Sequence, residues 1–173
     1  MEVEVKAKLD NSDLILNKIK KLGSKLEYET CEKDIYFKPT NSKKKFILRL
    51  RIKDDKCELT YKELTGIDGV WKEFSTKISD TEQARRILIE AEFHEWMTLE
   101  KTRKCFKLNE MEINLDSFTQ PKDFGTWIEA EILTDDAVEG KRKIKEFLES
   151  LGIPRDKFID IGYPQIVEKK MSK

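Results

Sequence analysis

The chain has 173 residues, of which 34 are Lys or Arg, 34 are Asp or Glu and one is His. A formal net charge of zero excludes nucleic-acid binding through a uniformly basic surface. The lone histidine, His94, argues against a Ser-His catalytic pair or a histidine-rich metal site and is expected at the surface. Cys31, Cys57 and Cys105 are far apart and lack Cys-x-x-Cys spacing, so neither a disulfide framework nor a zinc site is indicated.

The length of the chain predicts a single domain over residues 1–173. The first residues alternate between acidic and apolar, and no apolar run approaches membrane-spanning length. We therefore expect a soluble, cytoplasmic protein with neither a membrane nor a nucleic acid as its partner.

The first predicted strand, over residues 1–6, carries alternating charge. Glu2, Glu4 and Lys6 fall on one face of such a strand, and Val3 and Val5 fall on the other. Two carboxylates beside an ammonium suggest a metal and an anion. Alternating charge on one strand is also typical of a solvated face, so the interpretation depends on whether the pattern recurs.

The rest of the chain predicts about eight strands and three helices. The first helix begins at Asn11 or Ser12 and ends at Gly23, the second follows a capping box at Asp80, and the third ends at Gly152. Loops are predicted at 39–45, which contains three consecutive lysines, at 54–56 and at 66–69, and the tail at 161–167 adds a short segment. The strands after the first are predicted at 34–37, 46–53, 57–62, 70–78, 99–106, 111–116 and 124–132.

Most of these strands have one apolar and one charged face; the strand at 99–106 has cations on both, so its inward side is not assigned. Because the helices need apolar partners, we expect them to cover the outside and the charged faces to line the inside. A dry interior could not hold so many ions, so the cavity must be wet. The fold class is therefore predicted as α+β: a closed or nearly closed eight-stranded antiparallel barrel with helices packed outside. The alternative is a solvated sheet with cross-strand ion pairs.

The predicted lining combines cations and carboxylates from separate strands. The combination suits a polyphosphate with a divalent ion, because arginine forks bind phosphate oxygens and Mg²⁺ or Mn²⁺ takes carboxylate oxygens. Trp71 and Trp127 share the same face and either stack on a substrate ring or pack in the core. The cations are Lys6, Arg49, Arg51, Lys62, Lys101 and Arg103, and the carboxylates are Glu2, Glu4, Glu73, Asp116, Glu129 and Glu131.

An ordered set of motifs resembles the CYTH family, the triphosphate tunnel metalloenzymes, and most closely its class IV adenylyl cyclase subgroup. The motifs are Glu2-Val3-Glu4-Val5-Lys6, Leu48-Arg49-Leu50-Arg51, Thr60-Tyr61-Lys62, Lys101-Thr102-Arg103, Leu115-Asp116 and Gly125-Thr126-Trp127-Ile128-Glu129-Ala130-Glu131. The family implies an eight-stranded tunnel that binds Mg²⁺ or Mn²⁺. One departure is Ser75, which stands where cyclase-like members often have a second acid.

The resemblance also implies residue roles. Metal ligands would be Glu2, Glu4, Glu129 and Glu131, with Glu73 and Asp116 as supporting carboxylates. The catalytic, phosphate-gripping cations would be Lys6, Arg49, Arg51, Lys62 and Arg103, with Lys101 as an additional phosphate ligand.

The function expected from these features is metal-dependent phosphoryl or nucleotidyl transfer from a nucleoside, organic or inorganic triphosphate. A triphosphatase and an adenylyl cyclase would use the same residues, and the sequence does not separate them. The alternatives are a non-catalytic polyphosphate or nucleotide sensor, and a lipocalin-like carrier, which the charged lining argues against. The oligomeric state is left open, with a homodimer among the options.

Overall fold

The computed structural model describes residues 1–41, 46–54, 56–67 and 69–171. Eight antiparallel strands form a closed barrel in the order β1-β5-β4-β3-β2-β6-β7-β8, with β8 pairing back to β1. The predicted α+β closed barrel is therefore confirmed. The strands are β1 (Glu2–Leu9), β2 (Lys25–Pro39), β3 (Ile47–Lys53), β4 (Lys56–Leu64), β5 (Val70–Ile78), β6 (Phe93–Leu108), β7 (Met111–Gln120) and β8 (Thr126–Leu133).

The helices in the described ranges are α1 (Ser12–Lys21), α2 (Thr81–Glu90), α3 (Ala137–Ser150) and α4 (Tyr163–Met171), with a short 3₁₀ turn at Arg155–Lys157. Asn11 caps α1 by accepting a hydrogen bond from the Leu14 amide, and Asp80 caps α2 in the same way through the Gln83 amide. None of these helices is both long and apolar enough to cross a membrane.

The main hydrophobic core lies between the outer face of the barrel and two helices. Val3 and Val5 of β1 are fully buried and belong to one cluster with Ile19 of α1 and Ile144 and Leu148 of α3. Burying such apolar side chains contributes about 1.5–3 kcal/mol each. Since these helices occupy the outside, the opposite face of β1 points into the barrel, as predicted.

Two element predictions are wrong. The strand predicted at 34–37 is the end of the much longer β2, which pairs along its whole length with β6. Lys25-Leu26-Glu27-Tyr28 does alternate, but the face that carries Leu26 and Tyr28 continues with the polar residues Thr30 and Glu32, and no strand was predicted there. The tail predicted as a short segment forms α4, which makes a fourth helix where three were expected.

Some predictions fall wholly or partly outside the described residues. These are the lysine run 43–45 with the preceding Ser42, and the middle of the turns at Asp55 and Asp68. His94, by contrast, is described and exposed, as predicted.

An aromatic cluster and α4 fill one part of the barrel interior. The cluster consists of Tyr36, Trp71, Phe118, Phe124, Trp127 and Tyr163. Its rings pack closely: Phe124 stacks on Trp127 at 4.9 Å, and Tyr163 meets Phe118 edge-on at 4.9 Å. The chain before α4 is tied to β1, because Lys6 and Ile159 exchange backbone hydrogen bonds of 2.9 and 2.8 Å. The aromatic cluster and the segment that is hydrogen-bonded to β1 occupy this part of the interior. The charged part of the interior remains as the open cavity.

Candidate functional site

A cavity of about 190 Å³ inside the barrel is lined by side chains of both charges. All of the cations predicted for the lining are there, and so are all of the predicted carboxylates except Asp116. The residues from that prediction are Glu2, Glu4, Lys6, Arg49, Arg51, Lys62, Glu73, Lys101, Arg103, Glu129 and Glu131. The charged strand faces therefore converge on one interior space instead of facing bulk solvent.

Three carboxylates form the one group of candidate metal ligands found among the described residues. Glu2, Glu4 and Glu131 each place an oxygen within 4.8 Å of the others. The β1–β8 register explains the grouping, because Glu4 lies directly opposite Glu131 across the two strands. Carboxylate oxygens are the ligands that Mg²⁺ and Mn²⁺ prefer, so the donor set fits such an ion.

The pKa values of two of these three carboxylates are those expected in a buried site with too little positive charge. Burial, opposed by Lys62 but assisted by Glu4, raises the pKa of Glu2 to about 7. Burial together with Glu129 and Glu2 raises the pKa of Glu131 well above its ordinary value. A divalent cation would oppose both shifts, because its charge favours the ionised carboxylates over the buried, protonated ones.

The predicted metal ligands outside this group are paired with cations. Glu129 lies 2.9 Å from Lys6 Nζ and 2.8 Å from Arg103 Nη2. Glu73 lies 2.7 Å from Lys62 Nζ and also accepts a hydrogen bond from Ser75. Ser75 thus supports Glu73 at the position where a second acid was expected.

Asp116 is fully buried and binds two of the predicted phosphate ligands. Its carboxylate accepts hydrogen bonds from Lys101 Nζ at 2.9 Å and from Arg103 Nε and Nη2 at 2.7 and 2.6 Å. Burial raises its pKa, but Arg103 and Lys101 outweigh that effect and hold the pKa below the ordinary value. Asp116 is therefore placed to orient Lys101 and Arg103, away from the cluster of Glu2, Glu4 and Glu131.

Lys62 and Lys6 each form ion pairs with carboxylates of the candidate metal site. Lys62 Nζ lies 2.7 Å from Glu2 and 3.9 Å from Glu4. Lys6 Nζ lies 2.5 Å from Glu4 and is also paired with Glu129. Burial lowers the pKa of Lys6, but Glu129 and Glu4 more than offset it and raise it above the ordinary value. Both ammonium groups thus stay charged.

Sequence reasoning missed two buried acids on β2. Asp34 binds Arg51, while Glu32 lies 3.4 Å from Arg51, 3.5 Å from Lys101 and 3.8 Å from Arg103. Asp34 was placed in a strand, but neither residue was assigned to the lining. The signal that could have found them is the shared parity of Glu32, Asp34 and Tyr36 on one strand face.

Trp71 and Trp127 pack in the aromatic cluster and are only 2% and 4% exposed. Trp127 donates its indole hydrogen bond to the Phe124 carbonyl and stacks on the Phe124 ring. Of the two roles considered for these residues, the structure places both in core packing.

Comparisons with known proteins agree with this architecture. A family model described as the CYTH domain matches residues 1–163. A Methanocaldococcus jannaschii protein, provisionally named an adenylate cyclase, is 28% identical over 96% of this chain and 98% of its own length.

Solved structures show the same fold. A Pyrococcus horikoshii protein has a TM-score of 0.87 and 26% identity over 98% of this chain and 99% of its own. A Hippeastrum protein, provisionally named an adenylyl cyclase and described as having a dominant triphosphatase activity, has a TM-score of 0.68 and 20% identity over 100% of this chain and 97% of its own.

Proposed function

The chain belongs to the CYTH domain family, and from this premise we propose that it is a metal-dependent triphosphatase. The tunnel would bind a triphosphate together with Mg²⁺ or Mn²⁺ and promote attack of water on the terminal phosphorus. The observation that carries the proposal is that Glu2, Glu4 and Glu131 face the same cavity as the arginines of β3 and β6.

Glu2, Glu4 and Glu131 would hold the metal ion, because their oxygens already lie within 4.8 Å of one another. When bound, the ion supplies positive charge to the phosphoryl oxygens. The carboxylates must be ionised to bind it, so metal binding releases the protons that the raised pKa values of Glu2 and Glu131 retain.

The cations of the cavity would bind and orient the phosphate chain. Arg49 and Arg51 of β3 and Arg103 of β6 line the cavity and present guanidinium N–H groups that match phosphate oxygens. In phosphoryl transfer, charge spreads over the equatorial oxygens, so fixed cations stabilise the transition state through position and charge. Water then displaces pyrophosphate or a nucleoside diphosphate from the terminal phosphorus.

Hydrolysis needs less from the tunnel than cyclisation does. A cyclase must hold the base and ribose so that the 3′-hydroxyl attacks the α-phosphorus while pyrophosphate leaves. The two tryptophans considered as stacking platforms are packed in the aromatic cluster, with Trp127 stacked on Phe124. Hydrolysis of the terminal phosphate requires only the phosphate grip, the metal and water.

Adenylyl cyclase activity is the second candidate function. The name of the Methanocaldococcus jannaschii relative favours it, and the grip on the triphosphate would be the same. A non-catalytic sensor would keep the cations but would not need the cluster of Glu2, Glu4 and Glu131.

The test is to incubate the protein with inorganic triphosphate, ATP and thiamine triphosphate, each with Mg²⁺ or Mn²⁺, and to identify every product by chromatography. Orthophosphate with pyrophosphate from inorganic triphosphate supports the triphosphatase. Cyclic AMP from ATP supports the cyclase instead, and tight binding without turnover supports a sensor.

Two variants and a control link any turnover to the site. Glu4→Gln and Glu131→Gln should each lower kcat/KM by at least about 100-fold, because a ligand of the catalytic metal is lost. Glu29→Gln is the control: Glu29 lies on β2, is exposed, and pairs with Lys104 at 3.6 Å. Activity that survives in Glu4→Gln and Glu131→Gln would show that it arises elsewhere.

A further inference from the structure

Asp34 is a buried carboxylate in direct contact with the cation wall of the tunnel. It lies on β2, is 2% exposed, and stands directly opposite Arg51 in the β2–β3 register. Its two oxygens accept hydrogen bonds from Arg51 Nε and Nη2, both at 2.7 Å. This paired geometry fixes the plane of the guanidinium as well as its place.

Two further contacts hold Asp34 itself. The Tyr36 hydroxyl donates to Asp34 Oδ2 at 3.2 Å, and Tyr36 is anchored in the aromatic cluster. Arg49 Nη1 lies 3.6 Å from the same oxygen. Burial disfavours the charged form of Asp34, but Arg51 and Arg49 outweigh it and keep its pKa below the ordinary value.

The contact uses only part of Arg51. An arginine has five N–H donors, and Asp34 engages the Nε side, which leaves the Nη1 donors for another acceptor. Arg51 lines the cavity, where its side chain is 14% exposed. Without Asp34, the like charges of Arg49, Arg51 and Arg103 would repel one another. Arg51 would keep only its longer contact with Glu32, at 3.4 Å, so its guanidinium would adopt several orientations.

We propose that Asp34 is a positioning residue that presents Arg51, and Arg49 beside it, to the phosphate oxygens of the substrate. Asp34 touches neither substrate nor metal in this role and acts only through the two arginines. The inference rests on the proposed function for its kinetic consequences but not for its effect on anion binding.

The positioning role predicts that removing the charge of Asp34 lowers turnover without weakening substrate binding. Asp34→Asn deletes a negative charge from the cation wall, so attraction to a triphosphate does not weaken. The guanidinium of Arg51 is no longer held in one orientation, and misplacement of a catalytic group costs about 10- to 100-fold in rate. We expect kcat to fall by that factor while KM does not rise.

A thermodynamic cycle with Arg51→Lys tests the contact directly. If Asp34 acts through Arg51, then Arg51→Lys should reduce kcat in the wild-type background but have much less effect in Asp34→Asn. Glu29→Gln is the matched control, since it removes one carboxylate from the outer face of the same strand. Additive effects of the two substitutions, or a kcat for Asp34→Asn equal to that of Glu29→Gln, would overturn the proposal.

A second arm keeps the test independent of catalysis. The same four proteins are titrated with inorganic triphosphate in EDTA by calorimetry, and the coupling between Asp34→Asn and Arg51→Lys is measured on the dissociation constant. If the wild type turns over no triphosphate, the triphosphatase proposal fails, but non-additive binding still supports the role of Asp34, and additive binding refutes it.

Asp34→Glu replaces Asp34→Asn in the kinetic test if Asp34→Asn does not fold. It keeps the charge and moves the carboxylate by one methylene, so kcat should again fall with KM unchanged. A wild-type kcat in Asp34→Glu would overturn the positioning role.

Discussion

At the scale of single residues, the tunnel carboxylates divide into two groups by their partners. Asp34, Asp116 and Glu129 are buried beside arginines and lysines, and each has a lowered pKa despite its burial. Glu2 and Glu131 crowd one another and have raised pKa values. Environments that separate the pKa values of neighbouring carboxylates are typical of groups with different roles, and we propose cation anchors and metal ligands for the two groups here.

The raised pKa values predict an unusual pH dependence of stability without metal. Glu2 has a pKa of about 7 in the folded protein against 4.5 when unperturbed, so between these values the folded state binds more protons than the unfolded state. Stability should therefore fall as pH rises from 5 to 8, by about 1–3 kcal/mol. Thermal unfolding in EDTA measures this fall in stability.

Metal and a variant provide the controls for that prediction. Mg²⁺ or Mn²⁺ binds the ionised carboxylates, so it should stabilise the protein more at pH 8 than at pH 5. Glu131→Gln removes one of the two raised groups and should flatten the pH dependence in EDTA. A metal-free protein that becomes more stable from pH 5 to pH 8 would contradict the assignment.

Asp116 predicts a large loss of stability from a nearly isosteric change. Asp116→Asn leaves Lys101 and Arg103 without the carboxylate that binds both, and breaking a buried pair costs about 3–5 kcal/mol. Urea unfolding at pH 7 measures the free energy. Glu110→Gln is the comparison, because the Glu110–Lys143 pair is solvent-exposed and should contribute far less to stability. Equal losses in the two variants would show that Asp116 does not anchor the cations.

At the scale of secondary-structure elements, the barrel is most weakly paired between β1 and β5. The described register there has two residue pairs, Glu2 with Trp71 and Val3 with Val70. The turn before β5 and the Ile159 segment extend this edge, because Glu4 donates its amide to the Gly69 carbonyl and Lys6 pairs with Ile159. Glu4, which we propose as a metal ligand, is thus held partly by a turn.

Gly69 and Gly66 in that turn provide a matched pair of substitutions. Both have positive φ, so an alanine at either costs about 1–2 kcal/mol in backbone strain. A Cβ on Gly69 would lie 2.8 Å from the Glu4 carbonyl oxygen, whereas one on Gly66 meets nothing within 4 Å. Gly69→Ala should therefore shift Glu4 and weaken Mn²⁺ binding, while Gly66→Ala should leave it unchanged. Calorimetry with Mn²⁺ measures the difference, and equal affinities would rule out the link.

The outer helices differ in how strongly they are anchored. Ile144 and Leu148 of α3 are fully buried, whereas α2 has no fully buried side chain and its Ile87 is 66% exposed. Helix α3 is thus part of the main core, and α2 covers a smaller cluster beneath β3 and β4.

At the scale of the whole molecule, the charge is balanced, and the cavity gathers residues of both signs. The 34 basic and 34 acidic residues cancel, while the cavity lining includes three arginines that a small anion can reach. We expect inorganic triphosphate to bind in EDTA at physiological salt, while a 20-base-pair duplex does not bind, because a chain with no net positive charge does not favour binding to a long polyanion. Calorimetry measures the binding of triphosphate, and fluorescence anisotropy measures the binding of the duplex. Salt-dependent duplex binding comparable to triphosphate binding would contradict this distribution of charge.

The sequence by itself was sufficient for the barrel and for most of its charged lining. A strand alternates its side chains with a period of two, so Glu2, Arg51 and Glu131 could be assigned to one face from spacing alone. The need of α1 and α3 for apolar partners then placed that face inside. Glu32 was missed because no strand was predicted over residues 25–33. Asp34 was in a predicted strand, but the face that it occupies was not assigned to the lining. Helix α4 was missed because it has only nine residues.

Tertiary structure alone decided which charges are neighbours. The lining residues share strand parity, and nothing in parity separates Glu129, bound to Lys6 and Arg103, from Glu131, which lies among other carboxylates. Their partners depend on the register of β1, β7 and β8 and on the stagger of the closed barrel. Coulomb energy falls with distance and rises with burial, so those ångström-scale separations determine which carboxylates are neutralised by cations and which have raised pKa values.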